Sequence, residues 1–481
     1  MEQERKAGLS IQKRTFVSVL ILLLALIVAA GVLTRVLPQG SYDRVNVDGQ
    51  EQVVPNSYHE NPSAKPLPVW RWFTAPFEVL ASPDSVIAIG IMVFLTLVGG
   101  TFAVLEKSGV LRRLMAVTIS RFGSKKYQMM GVLLLVFMIL GSAVGIFEEG
   151  ITLVPIAVAI SFSMGWDSLM GLGISAFAIG MGFAAGTFNP FTVVVAQELA
   201  DVPIFSGLTL RALMFVLAYA VLAVFMITYA KRIEKHPKRS LTYEHDLKLR
   251  ERYMHGDLTQ TLNDPHLKKA LRALGLCLGI VFLYILAGFF IKSLTDYTLI
   301  VMALLFTIAG FLCGRLSGYG GKVIKDFFSG CLSVLPAVAF ILLAMGVKHV
   351  ITAGGILDTL LYLLSGSLKN AGPYASALLM FGIVLVLEVF IASGSAKAFL
   401  LIPLIAPLAD LSGVSRQTVI LAYVLGDGFS NMIYPTNTAL LIMLGIADIG
   451  YGKWFRWVWK PLLAILLLSV GVLCLAVATG Y

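Results

Sequence analysis

Apolar residues run along this chain in stretches of membrane-spanning length, and the polar residues that interrupt them fall in a few defined places. "FVSVLILLLALIVAAGVL" (16–33), "LMFVLAYAVLAVFMITYA" (213–230) and "PLLAILLLSVGVLCLAVA" (461–478) are the clearest runs, each near the roughly 20 apolar residues a helix needs to cross a bilayer. The pattern predicts an all-α polytopic membrane protein with crossings at 16–36, 84–105, 168–200, 206–230, 270–291, 296–314, 330–350, 416–446 and 460–480. Two further regions pair short apolar arms around a polar centre: 127–145 with 151–166, and 374–391 with 398–412. Re-entrant hairpins and pairs of short crossings both fit these two regions.

Segments 168–200 and 416–446 exceed the length of one crossing, and each is interrupted in its middle, by "AAGTFNPF" (184–191) and "SNMIYPTNT" (430–438). Proline lacks an N–H and clashes with the preceding turn, so both segments are expected to be broken helices. An unwound turn exposes the N–H groups of the following half-helix, which attract a carboxylate. It also exposes carbonyls of the preceding half-helix, hard oxygens that suit Na⁺. Thr187, Asn189 and Pro190 in the first break, and Thr436, Asn437 and Thr438 in the second, are therefore candidate substrate contacts. Gly145, Gly186, Asp427, Ser430 and Asn431 are candidates for contact with a coupling ion, Na⁺ or H⁺. A pair of packed proline kinks is the structural alternative.

The chain matches itself at a shift of 248: Pro155 falls on Pro403, Gly180 on Gly428, and Asn189 on Asn437. Polar breaks land on polar breaks, which apolar composition alone does not produce. Basic residues give the orientation. Segments 1–15, 107–126, 231–272, 315–325 and 453–460 hold 27 of the 37 Lys and Arg residues, and all five lie on the cytoplasmic side only with the N-terminus inside and the C-terminus outside. The two hairpins then open to opposite sides, so the two copies are inverted, an arrangement that places substrate at the midplane between them. The resulting organisation is an N-terminal helix (1–36), an extracytoplasmic loop (37–83), a first repeat (84–230; hairpin 127–166, broken helix 168–200), a cytoplasmic linker (231–268), connecting helices (270–314) and a second repeat (330–481; hairpin 374–412, broken helix 416–446).

Composition narrows the function. The chain is 58% hydrophobic and 13% charged, far below the roughly 25% charge of soluble domains. Its net charge of +10 resides in the loops as topology determinants, so nucleic acid is not indicated. The four cysteines are scattered and show neither paired metal motifs nor a disulfide framework. His236, His245, His255 and His266 fit no zinc spacing and read as part of a solvated linker. The stretch "GRLSGYGGKV" (314–323) lacks the first glycine and the final Ser or Thr of a phosphate loop. No enzyme and no cofactor is expected; a lipid-modifying membrane enzyme would need titratable residues clustered at one interface.

The hairpin tips carry the remaining chemistry. Glu148, Glu149 and Gly150 occupy the first, and Ser393, Gly394, Ser395 and Lys397 the second. A charge in a dry interior is costly, so the glutamates bind a cationic group or a proton, or else reach an interface. Lys397 pairs with a substrate carboxylate or with an acid such as Asp427, or else snorkels to the outer surface. Glu388, inside a hairpin arm, is a similarly rare placement.

"FEEGITLVPIAVA", "GTFNPFTVVVAQ" and "DGFSNMIYPTNTALL" resemble the YfcC-type membrane proteins of the C4-dicarboxylate anaerobic carrier (DcuC-like) group in the ion transporter superfamily. The resemblance extends from about residue 10 to the end. It implies inverted repeats, a scaffold that dimerises, elevator movement in a bacterial inner membrane, and coupling to Na⁺, H⁺ or a counter-solute. It places Thr187 with Asn189, and Thr436 to Thr438, at the unwound loops, and Glu148 to Gly150 and Ser393 to Ser395 at the tips. Related dicarboxylate/sodium carriers have Ser-Asn-Thr tips, whereas these read "GIFEEG" and "IASGSAKA". The expected function is secondary transport of a small carboxylate-bearing metabolite, an amino acid and in particular a basic one, with a C4-dicarboxylate as the alternative.

Overall fold

The computed structural model describes residues 13–47, 50–254, 258–290, 298–368 and 371–481. Arg5 and Lys6, which contribute to the orientation argument, lie outside the described residues, as do His255 and positions 291 and 296–297 of two expected crossings. The chain is almost wholly helical. Six helices among the described residues are long and apolar enough to cross a bilayer, including Ala88–Lys107, Leu208–Lys235 and Tyr451–Thr479. Helices are the solution lipid imposes, because each backbone N–H and C=O must be satisfied within the segment.

The two interrupted regions break where proline and asparagine fall. In the first, Ser168–Leu172 continues through a π-helical turn, Gly173–Phe177, into Ala178–Ala184; the chain then unwinds and re-enters a helical path at Pro190–Val194. In the second, Arg416–Asn431 ends before an irregular turn, and Thr438–Ile446 follows. The hairpin regions contain Lys126–Ile139 and Val154–Ser163 in the first, and Pro373–Glu388 and Gly394–Leu411 in the second.

The broken helices cross at their glycines. A Cβ built on Gly428 would lie 2.1 Å from the Ala184 Cα, and one on Gly180 2.3 Å from the Met432 Cγ. The shift of 248 maps Gly180 on Gly428 and Ala184 on Met432. Each position of one copy thus meets the partner position of the other, the mark of a two-fold, self-complementary contact.

Two segments read as loops are structured. Residues 37–83 form two small antiparallel strand pairs, with Gly40 opposite Glu60 and Arg44 opposite Val53, and a helix, Val69–Glu78. They dock on the helix Leu357–Gly366: Asp358 accepts from the Tyr42 amide at 2.9 Å and from Arg44 at 2.8 Å, and the Tyr58 ring stacks on Tyr362. The linker 231–268 is likewise not a solvated tether. It contains Tyr243–Met254 and Leu258–Asn263, and Thr242 and Asp246 are buried. Asp246 accepts from the Ser168 amide and from the Thr242 hydroxyl, while His245 lies 3.3 Å from Asp448. Sequence composition recorded the charges but not the partners that remove them from solvent.

Candidate functional site

Both hairpin tips and both breaks converge on one cavity of about 380 Å³, within the size range of small-molecule sites. The first tip contributes Gly145, Glu148 and Glu149; the second contributes Ser393, Gly394 and Ser395; the second break contributes Asn431, Thr436, Asn437 and Thr438. Ala344, Met345 and Lys348 from the helix Leu335–Ala353, with Asp84 and Ile91, close the opposite wall. Lys348 and Asp84 form an ion pair at 2.8 Å.

The remaining expected site residues stand behind this surface. Gly150, Gly186, Thr187, Asn189, Pro190, Lys397, Asp427 and Ser430 do not line the cavity, whereas Phe191 and Thr192 do. Thr187 ties the first break to the first hairpin through the Ser142 carbonyl and hydroxyl, at 2.9 and 3.0 Å. Gly145 ends its helix in the left-handed region (φ 78°), and a side chain there would strike the Asn189 oxygen at 2.4 Å. The Ser430 hydroxyl is occupied by the Gly426 carbonyl of its own helix at 2.8 Å.

The matched asparagines serve first as helix caps. Asn189 Oδ1 accepts from the Phe191 and Thr192 amides, and its carbonyl accepts from Val193 and Val194. Pro190 has no N–H, so this terminus has no backbone donor left for a ligand, against the expectation that both breaks expose free N–H groups. The second terminus differs. Asn437 Oδ1 accepts only from Leu440 at 3.0 Å, and its Nδ2 donates to Asn431 Oδ1 at 2.5 Å. The amides of Thr438 and Ala439 have no partner among the described residues and line the cavity. The second tip repeats this arrangement. Ser393 caps Ala396, and the Gly394 and Ser395 amides at the cavity have no partner among the described residues. Two helix N-termini from the second repeat thus meet at one cavity, a pairing that favours an anionic group.

The first repeat supplies the opposite charge. Glu148 and Glu149 reach the cavity, Glu148 the more exposed, and neither forms an ion pair among the described residues. Three buried polar groups at the breaks have no partner among the described residues: the Thr192 and Thr436 hydroxyls, on residues that line the cavity, and the Asn189 amide nitrogen behind it. Buried polar groups are ordinarily satisfied, so these donors mark where a ligand contributes. Thr192 escaped sequence reasoning because its apolar neighbours conceal it; only its place two residues after the proline could have signalled it.

Lys397 does not snorkel. It is fully buried, 2.8 Å from Asp427 and in contact with Glu388. Asp427 sits directly behind the second tip, 3.1 Å from where a Gly394 side chain would begin.

The sequence profile of the C4-dicarboxylate anaerobic carrier family, DcuC, matches residues 16–478. An Escherichia coli (strain K12) protein named "Putative basic amino acid antiporter YfcC" is 28% identical over 96% of both chains. A Haemophilus influenzae protein described as uncharacterized is 27% identical over 82% of this chain and 76% of its own. Among solved structures, the Alcanivorax borkumensis YdaH transporter, of unusual topology, aligns with a TM-score of 0.40 at 18% identity, covering 98% of this chain and 99% of that one. Neisseria gonorrhoeae MtrF, described with a class of antimetabolite efflux pumps, aligns at 0.40 and 17%, covering 96% and 94%. With the family profile spanning nearly every residue, this multi-pass membrane protein belongs to the DcuC family of carriers and is a transporter rather than an enzyme.

Proposed function

We propose that the protein exchanges amino acids bearing a cationic side chain, such as arginine or ornithine, across the bacterial inner membrane. One observation carries the reading: two unpaired glutamates and two open helix N-termini face the same cavity. An amino acid satisfies both, its carboxylate at Gly394, Ser395, Thr438 and Ala439, its cationic end at Glu148 and Glu149. Charge separates this reading from the dicarboxylate one. The buried Glu388, Lys397 and Asp427 add one further net negative charge behind the cavity, and the Asp84–Lys348 pair in the opposite wall adds no net positive charge, so a dianion entering there is offset by the N-termini alone. The name of the E. coli relative agrees with this reading.

The mutual glycine contacts of the broken helices support an inverted repeat with re-entrant hairpins. The cavity lies between those elements and the helix Leu335–Ala353, as an elevator moving past a fixed, dimeric scaffold requires. Counterflow in proteoliposomes tests the substrate: labelled L-arginine should exchange for internal arginine or ornithine and not for succinate. Exchange of succinate alone overturns the proposal and leaves the C4-dicarboxylate reading, which the four open amides favour.

A further inference from the structure

The two hairpin tips carry opposite charges at equivalent positions, and their surroundings are opposite too. The shift of 248 sets Glu149 on Lys397, Leu140 on Glu388 and Ile179 on Asp427. In the first repeat the tip acid is open to the cavity and has no ionic partner among the described residues. In the second the tip base is enclosed by two acids and has no exposure. The three charged groups come from the end of one hairpin arm, the start of the other and the broken helix, so they meet where moving parts join. Apart from these ion pairs, nothing among the described residues completes the hydrogen bonding of their charged atoms. A cluster this poorly satisfied is weak support for a fold.

We infer that Lys397 is a tethered cation: its ammonium occupies, between Glu388 and Asp427, the position a mobile metal cation would otherwise take. This deepens the exchanger reading and rests on it for the transport consequence. With the cation position of the second tip filled by its own ammonium, the first-tip glutamates hold the single exchangeable positive charge, and the cycle runs without Na⁺. Lys397 is then a positioning residue that never touches substrate. Its charge holds Asp427 against the tip.

The test has one arm that needs no substrate. Melting of the purified protein is compared in NaCl and in choline chloride at equal ionic strength. Wild type should melt identically in both. Lys397→Ala opens the cation position and should be stabilised by Na⁺ by about 4 °C. The double variant Glu388→Gln/Lys397→Ala keeps the cluster's net charge, so it reads the same vacancy should the single variant fail to fold. Saturable, Na⁺-specific stabilisation of wild type, or no Na⁺ effect on the folded double variant, overturns the assignment. In the second arm, wild-type arginine counterflow should be equal in the two salts; a requirement for Na⁺ also overturns it. If arginine does not move while the melting results hold, the substrate reading fails and the tethered cation stands.

Discussion

Gly428 lies so close to Ala184 that a single added carbon would sit 2.1 Å from its backbone. The contact is backbone against backbone, so no rotamer change relieves it. Gly428→Ala should therefore destabilise the protein by about 1–3 kcal/mol, the usual cost of overpacking a close-packed site. Gly452→Ala, where nothing lies within 4 Å, should leave the melting temperature unchanged. Thermal unfolding of the two variants in one detergent makes the comparison.

That crossing was partly legible in the sequence. Gly180 and Gly428 align at the shift of 248, as do Asn189 and Asn437, and an unwound turn in lipid tolerates few residue types. The position of the breaks and the convergence of the tips followed from the same constraint. What the asparagines do was not legible: an amide beside a helix start serves equally as ligand or cap, and only coordinates show which atoms are already taken. Asp167 and Asp246 likewise look like solvated loop acids. Their burial depends on Tyr229, Ser240 and Thr242, the first 62 residues distant from Asp167.

Asn189 performs two separable tasks. Its oxygen caps the half-helix, and its amide nitrogen is buried without a partner. Asn189→Ala should lose about 1 kcal/mol of stability as a lost cap and abolish exchange. Asn189→Ser retains a good capping oxygen without the amide. It should melt close to wild type yet lose transport by about tenfold, the value of one hydrogen bond to a charged group. Equal transport by wild type and the serine variant would show that the nitrogen serves no ligand.

Asp167 caps the first broken helix outside the membrane-spanning segments, and burial pushes its carboxyl up to about 6, against the lowering effect of the Ser240 and Tyr229 hydroxyls. A folded-state value above the unfolded one means the native protein holds the proton more tightly. The associated stability is complete below about pH 4 and is lost as pH rises through 6. The displacement corresponds to about 3 kcal/mol. Asp167→Asn should flatten the stability profile between pH 4 and 6, and the gap between wild type and variant should narrow or reverse above pH 6. Melting curves at pH 4.5, 6 and 7.5 decide it; an unchanged slope would place the titration elsewhere.

Glu149 has no ionic partner of its own among the described residues, and the exchanger reading gives that role to the substrate's cationic group. Its removal should therefore separate stability from transport. Glu149→Gln deletes an uncompensated charge, which a folded protein ordinarily tolerates or gains from, so the melting temperature should hold or rise. Arginine counterflow should fall by at least about 30-fold, the effect of losing one desolvated charge partner worth about 2 kcal/mol or more. The loss should reside in the exchange of cationic amino acids, since a neutral amino acid never used the carboxylate and should bind the variant no worse. A structural role would instead lower the melting temperature and depress all exchange equally. The pattern across arginine, citrulline and succinate, measured beside the melting curve, distinguishes a carboxylate that meets cargo from one that merely shapes the tip.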